Sequence, residues 1–358
     1  MPKRTFLIAE AGVNHNGSLD MALQLVDVAA NAGADAVKFQ TFRAMSLVTT
    51  NAPQAKYQTV NMKESETQLT MLERLELSEE SHHKLVKHCR QVGIRFMSTA
   101  FDVDSLAFLA KLDVPALKIP SGDITCAPLL LNAARLHIPL IVSTGMSTLA
   151  DIENALGVIA FGLTTDREPT GRNDFIEAYS SLAGQEALSK YVSLLHCVSQ
   201  YPAPPSSVNL RAMDSMAQCF KLPIGYSDHT LGIEVSLAAV ARGATIIEKH
   251  FTLNRKLPGP DHAASIEPDE LNQLVTSIRN IESSLGNGLK APNAVEGDTS
   301  QVARRSLVAA RPISRGEFIT SNDLAFKRPG YGLSPMDFWD VVGRQAVYDF
   351  AVDELIKR

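Results

Sequence analysis

Two histidines, His229 and His250, close two consecutive apolar runs, and each stands beside a carboxylate, Asp228 or Glu248. Imidazoles at matching ends of adjacent parallel strands can converge on one divalent cation, with water or substrate completing its coordination and neighbouring carboxylates orienting the rings. Glu10 ends the first apolar run. In a closed barrel it would lie next to the last strand, where it could ligate the metal or hold its water; the competing expectation is a structural salt bridge to Lys249. Lys38 and Lys118 interrupt otherwise apolar runs, which is costly unless the charge is paired or used. Each suits either an anion ligand or a Schiff-base amine. Ser98, Thr99, Ser121, Ser143 and Thr144 add hydroxyl donors at the same level. Lysines among hydroxyls fit phosphate and carboxylate better than a neutral ligand. Gln40 and Asp123 are polar groups suited to sugar hydroxyls, and Asp261 sits on a stiff Pro258-Gly-Pro loop beside the metal pair. Tyr201, between Ser199-Gln and Pro202-Ala-Pro, reads as a rigid wall or as simple packing.

Eight short apolar runs must carry these groups: Phe6–Glu10, Ala36–Gln40, Ile94–Thr99, Ala116–Ser121, Leu140–Ser143, Val192–His196, Ile224–His229 and Thr245–His250. Near-continuous apolar runs ending in polar groups are the pattern of buried parallel strands, and in a (β/α)8 barrel all eight ends open on one face. Amphipathic helices fit between them. Ser18 caps one that stops at Gly33; Ser78, with Glu79 and Glu80 in the first turn, caps another that stops at Gly93. Further helices are predicted near 104–112, 127–137, 148–161, 208–220, 231–242 and 268–285. Residues 43–77 are expected to form either a partly helical flap over the barrel mouth or a variable surface loop, and 163–190 either a peripheral helical excursion or another such loop. The expected organisation is a catalytic barrel over 1–285, a turn-rich linker over 286–300, and a small β-rich module over 301–358.

Composition narrows the class. A chain of 358 residues with 45% hydrophobic and 20% charged residues is that of a globular protein. Its net charge of −5 and lack of a basic run argue against a nucleic-acid partner. Cys89, Cys126, Cys197 and Cys219 have no zinc-finger or CxxC spacing, which predicts reduced thiols in a cytoplasmic protein. Lys3 and Arg4 precede an apolar stretch that ends at Glu10, too soon for a secretion signal. No run is long enough to span a bilayer.

Six motifs in order, Glu10-Ala-Gly-Val-Asn-His-Asn-Gly17, Val37-Lys-Phe-Gln-Thr41, Lys118-Ile-Pro-Ser-Gly122, Ser143-Thr-Gly-Met146, Gly225-Tyr-Ser-Asp-His-Thr230 and Glu248-Lys-His-Phe-Thr252 with Pro258-Gly-Pro-Asp261, resemble the sialic acid synthase family. Lys327-Arg-Pro-Gly-Tyr-Gly332 is similar to that family's antifreeze-like (SAF) domain. The resemblance spans nearly the whole chain; none of its motifs falls within 163–190. It implies a TIM barrel followed by a SAF domain, and condensation of phosphoenolpyruvate with an N-acylated mannosamine-type sugar to a nine-carbon 2-keto acid plus phosphate. His229 and His250 would hold Mn²⁺ or Mg²⁺. Lys38, Thr99, Lys118, Ser121, Ser143, Ser199, Tyr201 and Ser227 would surround phosphoenolpyruvate, and Gln40, Asp123, Tyr201 and Asp261 would meet the sugar. Glu10 is the candidate to handle the proton of the attacking water, which with Asp123, His229 and His250 makes the expected catalytic set. Arg328 would reach a partner subunit's barrel in a domain-swapped homodimer. Ser199 stands where other members have Asn, and Asp123 where others have Glu.

Three other functions are open to the same residues: a Schiff-base aldolase or lyase of a sialic-type keto acid, using Lys118 or Lys249; a synthase taking a 6-phosphorylated sugar; and an ice-binding tail, against which Asp323, Lys327, Arg328 and Asp337 argue. The sugar itself is N-acetylmannosamine, its 6-phosphate, or 2,4-diacetamido-2,4,6-trideoxymannose. Gln40-Thr-Phe-Arg43, Lys56-Tyr-Gln58 and Leu72–Leu77 look more like bacterial neuraminate and legionaminate synthases than the phosphate-using type.

Overall fold

The computed structural model describes residues 4–55, 58–59 and 66–357, in two compact units, Met1–Asn287 and Gly288–Arg358. In the first, eight parallel strands close a barrel in sequence order. They are β1 (Phe6–Gly12), β2 (Ala36–Thr41), β3 (Arg95–Ala100), β4 (Leu117–Ile119), β5 (Leu140–Ser143), β6 (Val192–Cys197), β7 (Ile224–Asp228) and β8 (Ile246–His250), with Glu10 of β1 registered on His250 of β8.

Side chains alternate across each strand, and here the two sets have separate fates. Leu7, Val37, Phe39, Leu117, Val142, Leu194 and Ile247 pack outward against the helices. Ile8, Ala36, Met97, Ala116, Ile141, Leu195 and Ile246 form a smaller interior cluster that plugs the barrel. Gly225 fits this plug because a side chain there would come within 2.5 Å of the Ile246 carbonyl oxygen and 2.6 Å of a Leu195 methyl. Two residues further along the same eight strands come Glu10, Lys38, Thr99, Lys118, Ser143, Cys197, Ser227 and Glu248, all lining one cavity.

The helices are α1 (Leu19–Asn31), α2 (Ala44–Leu47), α3 (Gln68–Leu75), α4 (Glu79–Val92), α5 (Val103–Leu109), α6 (Ala127–Arg135), α7 (Leu149–Thr164), α8 (Arg172–Ser180), α9 (Leu182–Tyr191), α10 (Ala212–Phe220), α11 (Glu234–Ala241) and α12 (Pro268–Leu285). Ser18 and Ser78 accept from backbone N–H groups as caps, and Gly93 ends α4 at φ +79°. Two helices begin later than their apolar pattern. Before α10, Pro205–Ser207 make a 3-10 turn and Asn209 takes φ +50°; before α11, Gly232 takes φ +72°. Ser121 lies outside β4, opening a 3-10 turn over Ser121–Asp123.

Of the flap, α2 and α3 are described, while Lys56 and Tyr57 lie outside the described residues. Met71, Leu72 and Leu75 of α3 bury with Val13, Phe42 and Ala44 in a satellite cluster. The 163–190 excursion is helical: α7 runs into it, and α8 and α9 return onto α7. A side chain at Gly157 would meet the Phe175 carbonyl oxygen at 2.8 Å, so glycine permits the close α7–α8 crossing. No helix among the described residues is long and apolar enough to cross a membrane.

The second unit pairs β9 (Ser306–Ala309) with β10 (Leu324–Lys327), antiparallel, over a core of Leu307, Ile313, Ile319, Val341, Phe350 and Ile356. It includes α13 (Gly297–Ala303) and α14 (Phe338–Val341). The expected linker is thus partly helical, because Asn293 and Glu296 form a capping box ahead of α13. Arg328 follows β10 and is exposed.

Candidate active site

The barrel register brings charges of distant sequence into contact. Lys38 Nζ lies 2.6 Å from Glu10 Oε2, donates to Thr99 Oγ1 at 2.8 Å and stands 3.6 Å from Glu248 Oε2. Lys118 Nζ donates to Glu248 Oε1 at 2.9 Å, and the Ser227 hydroxyl donates to the same oxygen at 2.9 Å. Every group in this network is buried. The two carboxylates differ. Burial, only partly offset by Lys38, raises Glu10 to about 7. Burial acts the same way on Glu248, but Lys118 and Lys38 outweigh it and hold that carboxyl below its usual range. The same floor therefore pushes its two carboxyls in opposite directions, Glu10 up and Glu248 down.

Lys249, one residue along and on the opposite face of β8, points away from the cavity. Its Nζ lies 3.0 Å from Asp228 Oδ2 and donates to the Thr230 carbonyl at 2.5 Å. The expected alternative of a Glu10–Lys249 bridge is therefore corrected, since strand parity separates the two side chains. Asp228 also accepts from the Thr230 N–H and the Ser236 hydroxyl, which anchors the turn carrying His229.

His229 and His250 face each other with ring centroids 5.5 Å apart, and the Tyr201 ring lies over His229 at 4.1 Å. His229 Nδ1–H donates to the Val198 carbonyl at 2.6 Å, which leaves Nε2 as the lone-pair nitrogen. His250 Nδ1 is buried without a hydrogen-bond partner. Burial lowers His229 to about 4 and His250 well below its usual value, the latter also through its neighbour His229. Two neutral imidazoles with available nitrogens are the donor set a divalent cation needs. No group of three His, Cys, Asp or Glu forms a ready cage among the described residues, so water or substrate oxygen would complete the coordination.

These groups line a cavity of about 430 Å³. Of the residues singled out by sequence, Glu10, Lys38, Gln40, Thr99, Lys118, Ser121, Ser143, Ser199, Tyr201, Ser227, His229, His250 and Asp261 line it. Asp123 is not among its lining residues; it sits half-buried in the turn after β4, raised to about 6 by burial. Arg328 belongs to the second unit. Ser121 Oγ accepts from the Gly145 N–H at 2.9 Å and lies 3.0 Å from Cys197 Sγ, while Ser143 Oγ is buried without a partner. Asp261 is buried and raised to about 6 by burial. Its loop is strapped to the loop after β1: Asn14 Nδ2 donates to Ser265 Oγ, which donates to the Asp261 carbonyl, and Asn16 Nδ2 donates to the Pro258 carbonyl. Sequence reading missed Glu248 and Cys197 as cavity residues, though both fall on the interior parity of their strands. It also missed an apolar roof of Val13, Phe42, Met71, Leu72, Leu75 and Phe101, where periodicity alone reads as ordinary helix packing.

The model of the NeuB family matches residues 25–290, and that of the SAF domain residues 304–357. The chain belongs to the NeuB family. Among NeuB relatives, it is 43% identical over 355 residues to the N,N'-diacetyllegionaminic acid synthase of Campylobacter jejuni, covering 99% of each chain. It is 47% identical over 338 residues to the protein of that name from Legionella pneumophila, covering 94% of this chain and 89% of that one. The crystal structure of an N-acetylneuraminic acid synthetase from Leptospira borgpetersenii in complex with citrate is 35% identical, covers 83% of this chain and 90% of that one, and superposes with a TM-score of 0.68.

Proposed function

We propose that this NeuB-family protein condenses phosphoenolpyruvate with an N-acylated mannosamine-type sugar, releasing phosphate and a nine-carbon 2-keto acid, and that the sugar is the diacetamido-trideoxy one that leads to a legionaminic acid. The carrying observation is a single cavity whose floor holds two buried lysines among hydroxyls and whose rim holds two neutral, facing imidazoles. Lys38 and Lys118, with Thr99, Ser121, Ser143, Ser199 and Ser227, bind the phosphate and carboxylate of phosphoenolpyruvate and stabilise charge on the departing phosphate. Gln40, Tyr201 and Asp261 orient the sugar so that its carbonyl meets the methylene carbon of phosphoenolpyruvate. Mn²⁺ or Mg²⁺ held by His229 and His250 would supply Lewis-acid polarisation of that carbonyl. Glu10, raised by burial, takes the proton of the water that adds at the phosphate-bearing carbon.

The relatives' names support the legionaminate reading, and so does the roof. Six apolar side chains suit acetamido methyls and a deoxygenated C6 better than a phosphate. Lys38 and Lys118, both on the floor, are the cations among the described lining residues. The aldolase reading is less favoured, because Lys249 faces away from the cavity and Lys118 is engaged by Glu248. The protein is read as a cytoplasmic enzyme working as a swapped homodimer in which Arg328 serves a partner's barrel.

Phosphate release from phosphoenolpyruvate, with Mn²⁺ and each of the three sugars, tests the reading. Fastest release with 2,4-diacetamido-2,4,6-trideoxymannose is expected, with loss in EDTA. No release with any sugar, together with a borohydride-trapped pyruvate imine, would replace the synthase with the aldolase. In the same assay an Arg328→Ala dimer should be impaired, and normal turnover would sink the swapped-domain reading.

A further inference from the structure

We infer that Glu248 is an internal counterion that competes with the anionic substrate for Lys38 and Lys118, and so sets how tightly phosphoenolpyruvate binds and how readily phosphate leaves. The inference rests on the reading that these lysines hold phosphoenolpyruvate. Glu248 is buried, with Oε1 accepting from both Lys118 and Ser227 at 2.9 Å and Oε2 at 3.6 Å from Lys38. Its partners are thus three of the groups assigned to the substrate. Glu248 Oε2 has no hydrogen bond of its own.

Two buried ammoniums need compensating charge when no substrate is present, since an unpaired buried charge is strongly destabilising. Glu10 serves Lys38 at 2.6 Å, and Glu248 is the carboxylate in contact with Lys118. An incoming anion carrying both a phosphate and a carboxylate needs the same N–H donors. It must draw the lysines away from Glu248 while lying beside a fixed negative charge. The competition weakens binding of the anion before reaction. After the C–O bond breaks, the same carboxylate retakes the lysines and displaces phosphate. Ser227 holds Glu248 on the floor while the site is empty, and its single hydroxyl proton can turn to a substrate oxygen when the anion binds. Glu248 acts through the lysines, which makes it a positioning residue.

Glu248→Gln removes the charge and keeps an oxygen that can accept from Lys118 and Ser227. Calorimetric titration of the full-length protein with phosphoenolpyruvate and with inorganic phosphate, with and without Mn²⁺, reads both affinities. The variant should bind each anion about ten-fold more tightly, the size of one relieved charge contact in a partly buried site. Turnover should fall as phosphate becomes a stronger product inhibitor. A purely structural role for Glu248 would weaken or leave unchanged both affinities, and either result overturns the inference. Should Glu248→Gln fail to fold, Glu248→Asp retains the charge but shortens the side chain away from Lys118. It should tighten binding in the same direction by a smaller factor, and unaltered affinity there also overturns the proposal. If the wild-type protein binds neither anion, the assignment of the lysines falls and the counterion role falls with it.

Discussion

The floor and the roof of the cavity are built by different physics. Each charged floor group, Glu10, Lys38, Lys118 and Glu248, sits on a β-strand whose position is locked by the barrel register, and its side chain is buried against an opposite charge. The roof is built from apolar side chains of α3 and of the loops after β1, β2 and β3, in a satellite cluster outside the barrel core. A floor of charges can tolerate little change, because removing one member strands its buried partner. A roof of interchangeable apolar groups changes gradually with shape and volume. Reaction type is therefore expected to reside in the floor and rim, and choice of sugar in the roof.

The largest effect tests the rim. His250→Ala removes one of two candidate metal donors, and turnover should fall on the order of 10³-fold, several kcal/mol of lost charge stabilisation. Bound Mn²⁺ measured on the folded variant should fall with it; a variant that retained both would break the distinction between rim and roof.

A smaller effect is expected at Asp261, on the wall between the two regions. Its carboxyl is held near 6 by burial, against about 3.9 in an unfolded chain. Between these values the folded state keeps a proton that the unfolded state has lost. Stability should therefore fall as pH rises from about 4 to 6 and level off above, by at most about 3 kcal/mol. Urea midpoints for the wild type and Asp261→Asn should diverge over that window, the Asn variant gaining relative stability as pH rises. A constant difference from pH 4 to 7 would show that Asp261 does not carry the buried proton.

The smallest effect belongs to the roof. Leu72→Ala should raise the KM for the deoxy sugar about ten-fold, the scale of a trimmed apolar contact, while leaving the KM for phosphoenolpyruvate in place. Equal changes in both would erase the division between roof and floor.

Much of this layout can be read in one dimension. Period-two alternation along β8 places Ile246, Glu248 and His250 inward and Ile247 and Lys249 outward, so parity alone distinguishes Glu248 from Lys249. Helix α12 spans 268–285 as its pattern predicts, because Pro268 at the first turn and the Glu267–Glu270 capping box define its start locally. The start of α10 is less legible: Asn209 takes a left-handed conformation that no apolar spacing reports. Asp123 was legible as a polar residue after a strand, but the 3-10 turn from Ser121 carries it off the cavity wall.

The strand–helix alternation, the closed barrel, and the strand ends that carry lysine, hydroxyl, carboxylate and imidazole all follow from the amino-acid sequence, because periodicity and capping are local. The pairings do not; they arise with the three-dimensional fold. Lys118 meets Glu248 across 130 residues, Glu10 takes Lys38 and leaves Lys249 to Asp228, and the flap supplies an apolar roof. The physical reason is that closing the barrel brings sequence-distant strand ends together, and the stagger of its register sets which charge each side chain finds there.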